Sequence, residues 1–137
     1  MDHRQSISRS WPALPDSVAG VRDFVTTELS PYLSAQSVEG ARVVASELAT
    51  NAVQHAGTPF SVTVDWAGDA VRLLVTDGAD SIPVAGEPGP LELRGRGLLL
   101  VDALSVAWGV NAEAAGGKSV WAQFPGVPTV PPVPGRS

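Results

Sequence analysis

The chain contains no cysteine, and this absence removes several kinds of site at once. Disulfide bonds, thiolate zinc sites and a cysteine nucleophile all require that residue. Histidine is nearly as scarce, because His3 and His55 are the only two among 137 residues. A histidine-rich metal site is therefore excluded, and no Ser-His-Asp arrangement is supported. With no disulfide-forming residue, we expect the protein in the cytoplasm.

Basic clusters and long apolar runs are also missing. Nine Lys and Arg against 14 Asp and Glu give a formal net charge of −5. Nonspecific binding to a nucleic-acid backbone depends on a cluster of basic residues, so we predict no nucleic-acid partner. No apolar run has membrane length and the start has no signal-peptide pattern, so we predict no membrane insertion. The 44% of hydrophobic residues suffice for one core and one domain.

The hydrophobic spacing changes along the chain between helical and strand periods. It predicts a strand near 8–11, helices at 17–30 and 35–56, a hairpin over 59–77, a helix at 97–104 and closing strands at 106–110 and 119–124. Consecutive strands with helices between them predict an α+β fold. We expect a two-layer α/β sandwich, with a mixed, mostly antiparallel sheet and helices on one face.

Two segments stand outside this pattern. Residues 78–94 hold three prolines and three glycines, and a loop of this length in a compact domain is often a functional lid. Residues 125–137 repeat proline at every third position, which would align the prolines on one side of a polyproline II helix. We therefore predict one domain over 1–124 and a Pro-rich tail over 125–137. A disordered tail is favoured over a docking ligand.

Three polar side chains occur at steps of four in the second predicted helix: Glu47, Asn51 and His55. Each step of four drifts by only about 40° around the helix, so the three form one slanting stripe. On a helical wheel Val43, Val44 and Leu48 lie beside the stripe. Burying these polar groups without partners is costly, and a hydrated metal ion with bound phosphates would meet them. A capped or exposed polar edge is the simpler alternative.

The chemistry of the stripe suits magnesium. This ion prefers oxygen ligands and is often held by one protein group together with phosphates and water. Asn51 can supply that oxygen. Glu47, one turn earlier, is placed to take a proton from an attacking hydroxyl.

Three further motifs are weak when taken singly. Asp77-Gly78 ends a strand, where a carboxylate can accept a hydrogen bond from an exocyclic amine, although an Asp-Gly turn needs no ligand. Residues 95–98, Gly-Arg-Gly-Leu, open a helix after the lid and could bind an anion or act as a hinge. Residues 116–119, Gly-Gly-Lys-Ser, resemble a P-loop but lack its earlier glycine and precede a strand. We interpret them as a hairpin turn from which Lys118 or Ser119 can face a ligand.

As an ordered set, these stretches resemble the GHKL superfamily, and most of all its small bacterial anti-sigma-factor serine/threonine kinases. The resemblance covers roughly residues 10–124 and implies a Bergerat-type ATP-binding fold with ATP and magnesium as cofactors. It implies that Asn51 coordinates magnesium, that Glu47 activates the nucleophile and that Asp77 accepts the adenine amino group. It also implies an ATP lid over 79–94. Further nucleotide contacts are implied for His55, Ala79, Gly95, Arg96, Gly97, Leu98 and Ser119.

The first glycine box departs from the family's Asp-x-Gly-x-Gly, because this chain reads Asp77-Gly78-Ala79-Asp80. The leading hypothesis is an ATP-dependent serine/threonine kinase that acts as an anti-sigma factor and phosphorylates an antagonist protein. The shifted box favours an alternative, a nucleotide-responsive binding regulator with little or no kinase activity. The implied partners are a sigma factor, its antagonist or both, with a homodimer as a further expectation.

Two other functions are disfavoured. A sensor histidine kinase would carry its phospho-accepting histidine on a helix pair, whereas His3 lies in a polar segment. A purely structural α+β domain would leave four ordered motifs as coincidences.

Overall fold

The computed structural model describes residues 5–67, 70–78, 99–113 and 116–126. The predicted lid over 79–94, the motif at 95–98 and nearly all of the Pro-rich tail lie outside these ranges. Within the described part, no helix is long and apolar enough to cross a membrane.

The described chain forms five strands and several helical segments. The strands are β1 (Gln5–Trp11), β2 (Phe60–Ala67), β3 (Ala70–Asp77), β4 (Ala107–Ala112) and β5 (Lys118–Pro125). The helices are α1 (Ser17–Leu29) and α2 (Ala35–Asn51), followed by a π-helical turn (Ala52–Ala56) and by a helical segment over 99–104. The sheet order is β1-β2-β3-β5-β4, and each of these four pairings is antiparallel.

One face of the sheet is apolar and carries the helices. Alternate residues of β2 and β3 are buried there, as Val62 pairs with Val75 and Val64 with Leu73. Helix α2 packs on β3 and β5, and α1 packs on α2 and β2. Burying each such valine or leucine contributes about 1.5–3 kcal/mol. The predicted α+β two-layer fold is confirmed, and every described pairing in its sheet is antiparallel.

Helix α1 approaches the first strand closely because residue 20 has no side chain. A Cβ atom at Gly20 would lie 2.7 Å from Nε1 of Trp11. The Trp11 ring meets Phe24 of α1 edge-on at 5.6 Å and stacks on Phe60 at 6.0 Å. This aromatic contact joins α1, β1 and β2.

The end of the second helix differs from the prediction. Ser34 caps its start by accepting a bond from Ser37 N at 3.1 Å, but the α-helix ends at Asn51 rather than near residue 56. Gly57 N donates to Ala52 O at 3.0 Å, a bond across five residues that widens the last turn into a π-helix. Gly57 then adopts a φ of 66°, a left-handed conformation that ends the helix.

Candidate functional site

The polar stripe runs along the border of α2 rather than through its apolar face. Glu47 and Asn51 are half-buried, one α-helical turn apart, and Val44 and Leu48 beside them are buried. His55 lies in the π-helical turn and is exposed. The stripe is therefore continuous from Glu47 to Asn51, and the π-turn changes the spacing between Asn51 and His55.

Gly40 shows what packs on the side of α2 that carries the stripe. It precedes Glu47 by seven residues and Asn51 by eleven, so each of them lies within about 20° of Gly40 around the helix, on either side of it. A Cβ atom at Gly40 would lie 3.7 Å from the backbone oxygen of Leu104 and 3.9 Å from the ring of Phe124. Glu47 and Asn51 thus lie on the side of α2 against which β5 and the segment 99–104 pack.

Asp77 lies on the helix-covered face of the sheet, at the end of β3. It continues the buried alternation of Val71, Leu73 and Val75 and is itself buried. Its cross-strand neighbour on β5 is Lys118. The Lys118 ammonium donates to both carboxylate oxygens, Oδ1 at 3.0 Å and Oδ2 at 2.8 Å. The side chains are 11% exposed for Lys118 and 7% for Asp77, so this ion pair is largely removed from water.

Ser119 lies on the opposite face of the sheet from Asp77. Neighbouring residues of a strand point to opposite faces, and the register pairs Ser119 with Thr76. The two hydroxyls lie 2.6 Å apart, and Ser119 Oγ donates to Glu113 Oε2 at 2.7 Å. The structure therefore does not bring together the two residues predicted to hold adenine, and it places Lys118 beside Asp77 instead.

The sequence contains a signal for the face of β5 on which Lys118 lies. Val120, Ala122 and Phe124 are the buried residues of β5 on the helix-covered face. Residue 118 has the same parity and residue 119 has the opposite one. Extending the alternation back to the Gly116-Gly117 turn would have assigned Lys118 to the side of Asp77.

Two close approaches hold the end of β3. Gly117 has a φ of 91°, and a Cβ atom there would lie 2.2 Å from the backbone oxygen of Asp77. On the other side, Thr58 Oγ1 accepts a bond from Gly78 N at 2.9 Å. The chain beside Asp77 is therefore fixed from two directions, and only glycine fits at position 117.

The remaining predicted contacts cannot be placed in this geometry. Ala79, Gly95, Arg96, Gly97 and Leu98 all lie outside the described residues. The helical segment 99–104 follows directly after Leu98 in the sequence and reaches the stripe side of α2 through Leu104.

The described residues suit a metal ion that takes few protein ligands. No group of three or more His, Cys, Asp and Glu side chains in the described ranges could hold one. Magnesium at a nucleotide is typically bound through one or two protein oxygens together with phosphates and water. The half-buried amide of Asn51 fits this requirement.

An open antiparallel sheet with helices on one face defines a two-layer α/β domain, and Asp77 and the polar stripe both lie on its helix-covered side. The family model of the histidine kinase-like ATPase domain matches residues 11–124, and the chain belongs to this family, within the GHKL superfamily. The family implies that ATP is bound. A search of curated proteins gave no match.

Proposed function

We propose that the chain is an ATP- and magnesium-dependent serine/threonine protein kinase that acts as an anti-sigma factor in the cytoplasm. Its substrate is a serine of an antagonist protein, and its regulated partner is a sigma factor. The observation that carries the proposal is the placement of Glu47 and Asn51. They lie one turn apart and half-buried on the helix that packs on β3 and β5, the strands that carry Asp77 and Lys118.

Each of these residues has its own proposed role in phosphoryl transfer. Asn51 would hold magnesium through its amide oxygen, and bound magnesium would neutralise charge at the phosphates. Asp77 would accept the adenine amino group, and the family resemblance assigns further nucleotide contacts to His55 and to the motif at 95–98. The serine oxygen of the substrate bonds to the γ-phosphorus, the bond from that phosphorus to the bridging oxygen breaks, and ADP leaves. The hydroxyl proton passes to the carboxylate of Glu47.

The surroundings of Glu47 support a protein substrate. Glu47 also lines an open cleft of about 440 Å³ between α1 and α2, together with Arg22, Arg42 and Ser46. A base that serves a serine on another protein has to be reachable from outside the nucleotide pocket. Glu47 meets that condition because it borders this cleft.

The test is a phosphorylation assay with Mg-ATP and candidate antagonist domains, read out as phosphoserine by mass spectrometry. We expect Glu47→Gln to lower the rate by at least about 100-fold, the usual contribution of a general base. Glu28→Gln is the matched control, since Glu28 is also a half-buried carboxylate on a covering helix but does not line this cleft. If no antagonist is phosphorylated and Glu47→Gln behaves like the control, the kinase proposal fails.

A second candidate function is a nucleotide-responsive binding regulator without catalysis. One observation favours it, the shifted glycine box at Gly78-Ala79. In that case ATP would tune affinity for the sigma factor or antagonist through a population shift. Calorimetry would show ATP binding and a nucleotide-dependent partner affinity, while the assay above would show no phosphoserine.

A further inference from the structure

A contribution to folding stability does not by itself explain the Lys118–Asp77 ion pair. Both side chains are largely buried, at 11% and 7% exposure, so both charges are largely desolvated. The attraction within a buried pair often does no more than offset that desolvation, and well-packed apolar residues can replace it without loss. A role in ligand binding would explain why two charges lie among Val75, Val120 and other apolar residues of this face.

The pair still has hydrogen-bonding capacity toward a ligand. An ammonium group has three N–H donors, and Lys118 directs bonds to the two oxygens of Asp77. Its third N–H has no partner among the residues that the structure describes. A carboxylate has about four lone-pair sites, so Asp77 can accept a bond from a ligand in addition to its bonds within the protein. The pair therefore offers an acceptor and a donor side by side.

Adenine has the complementary pattern on one edge. Its exocyclic 6-amino group is a donor, and the adjacent ring nitrogen N1 is an acceptor. We propose that Lys118 donates a hydrogen bond to N1 of the purine while Asp77 accepts from the 6-amino group, so that the two residues recognise adenine as one unit. This inference rests on the ATP binding of the proposed function and assigns a nucleotide contact to Lys118.

The geometry of β5 supports this role. Lys118 is the first residue of the strand and directly follows Gly117, whose close approach to the Asp77 backbone fixes the two strand ends together. The ammonium is thereby held within 3.0 Å of both carboxylate oxygens. The two strand ends hold donor and acceptor side by side, which lowers the cost of ordering them on binding.

The test compares ATP with 1-deaza-ATP, in which a C–H replaces N1, by calorimetry with magnesium on the full chain. We expect the wild-type protein to bind ATP about tenfold more tightly than the analogue, the usual effect of one hydrogen bond to a charged group. In Lys118→Met, which keeps the chain length and removes the ammonium, the two ligands should bind equally. Arg72→Met is the matched control, because it breaks another interstrand ion pair on the opposite face and should keep the tenfold ratio.

Three results would overturn the inference. Equal affinity of the wild type for the two ligands would show that N1 receives no bond, and this result needs no variant to fold. A tenfold ratio that persists in Lys118→Met would assign the donor to another residue. Tighter ATP binding by Lys118→Met would make Lys118 a competitor for Asp77. If none of the proteins binds ATP, the proposed function fails as well as the inference. If the inference alone fails, the wild-type protein still binds ATP, so the two failures are distinguishable.

Discussion

Strand β3 makes an interstrand ion pair on each face of the sheet, and the two differ in their surroundings. Arg72 donates to Asp65 at 3.2 Å on the open face, where the Arg72 side chain is 35% exposed and its guanidinium lies 5.9 Å from the centre of the Trp121 ring. Lys118 binds both oxygens of Asp77 on the helix-covered face and is only 11% exposed. The first cation remains partly hydrated and the second does not.

This difference indicates that the Arg72–Asp65 pair supports the sheet, whereas the Lys118–Asp77 pair belongs to a binding site. In the Arg72–Asp65 pair the carboxylate is only 9% exposed but the cation is 35% exposed, so the cation keeps contact with water if the carboxylate is removed. A buried pair is costly to form and costly to break. Removing the same kind of residue from each pair therefore gives a direct comparison of the two faces.

The largest effect is expected for Asp77→Ala. It leaves the Lys118 ammonium buried without its carboxylate, and we expect the free energy of unfolding to fall by about 3–5 kcal/mol. Urea denaturation followed by tryptophan fluorescence measures this change. Asp65→Ala should cost only about 1 kcal/mol, because the Arg72 guanidinium that it leaves is solvated. Equal losses in the two variants would contradict the comparison.

A somewhat smaller effect is expected for Gly117→Ala. The new Cβ atom would collide with the Asp77 backbone oxygen and the residue would have to keep a φ of 91°. We expect a loss of about 2–4 kcal/mol, the range of strained substitutions at closely packed backbone. Gly57→Ala is the control, since Gly57 also has a positive φ of 66° but no atom of the described residues lies within 4 Å of the added Cβ.

The control separates backbone strain from collision. Gly57→Ala should cost about 1–2 kcal/mol through the left-handed conformation alone. If urea denaturation shows the same loss of unfolding free energy for both glycine variants, the close approach of Gly117 to Asp77 does not contribute to stability. The strand ends that carry the site would then not depend on it.

Much of the fold was predictable because its hydrophobic periods are regular. The alternation from Phe60 to Trp66 and from Val71 to Val75 predicted the hairpin, and the structure forms it with the same inward residues. Ser34 caps the second helical region and Gly57 ends it, and both residue types are common at those positions of a helix. These signals are local, so the sequence carries them directly.

Two features of the site were missed, for different reasons. The π-turn after Asn51 depends on which carbonyl Gly57 N reaches, and hydrophobic spacing over five residues does not distinguish a π-turn from an α-helical turn. The choice of Ser119 over Lys118 came from a resemblance between motifs, which does not fix the face of a strand, although the alternation along β5 does. The order of the motifs indicated the family, whereas the pairing of individual side chains needed the sheet.

The most direct test of the account is the binding of ATP to wild-type protein and to Asn51→Ala, by calorimetry with and without magnesium. Asn51 is half-buried at the end of α2, so its truncation should leave the unfolding midpoint nearly unchanged. We predict that the wild type binds ATP more tightly with magnesium and that Asn51→Ala loses this magnesium-dependent gain. An unchanged affinity in Asn51→Ala, with the same dependence on magnesium, would contradict the assignment of the stripe as the metal-nucleotide site.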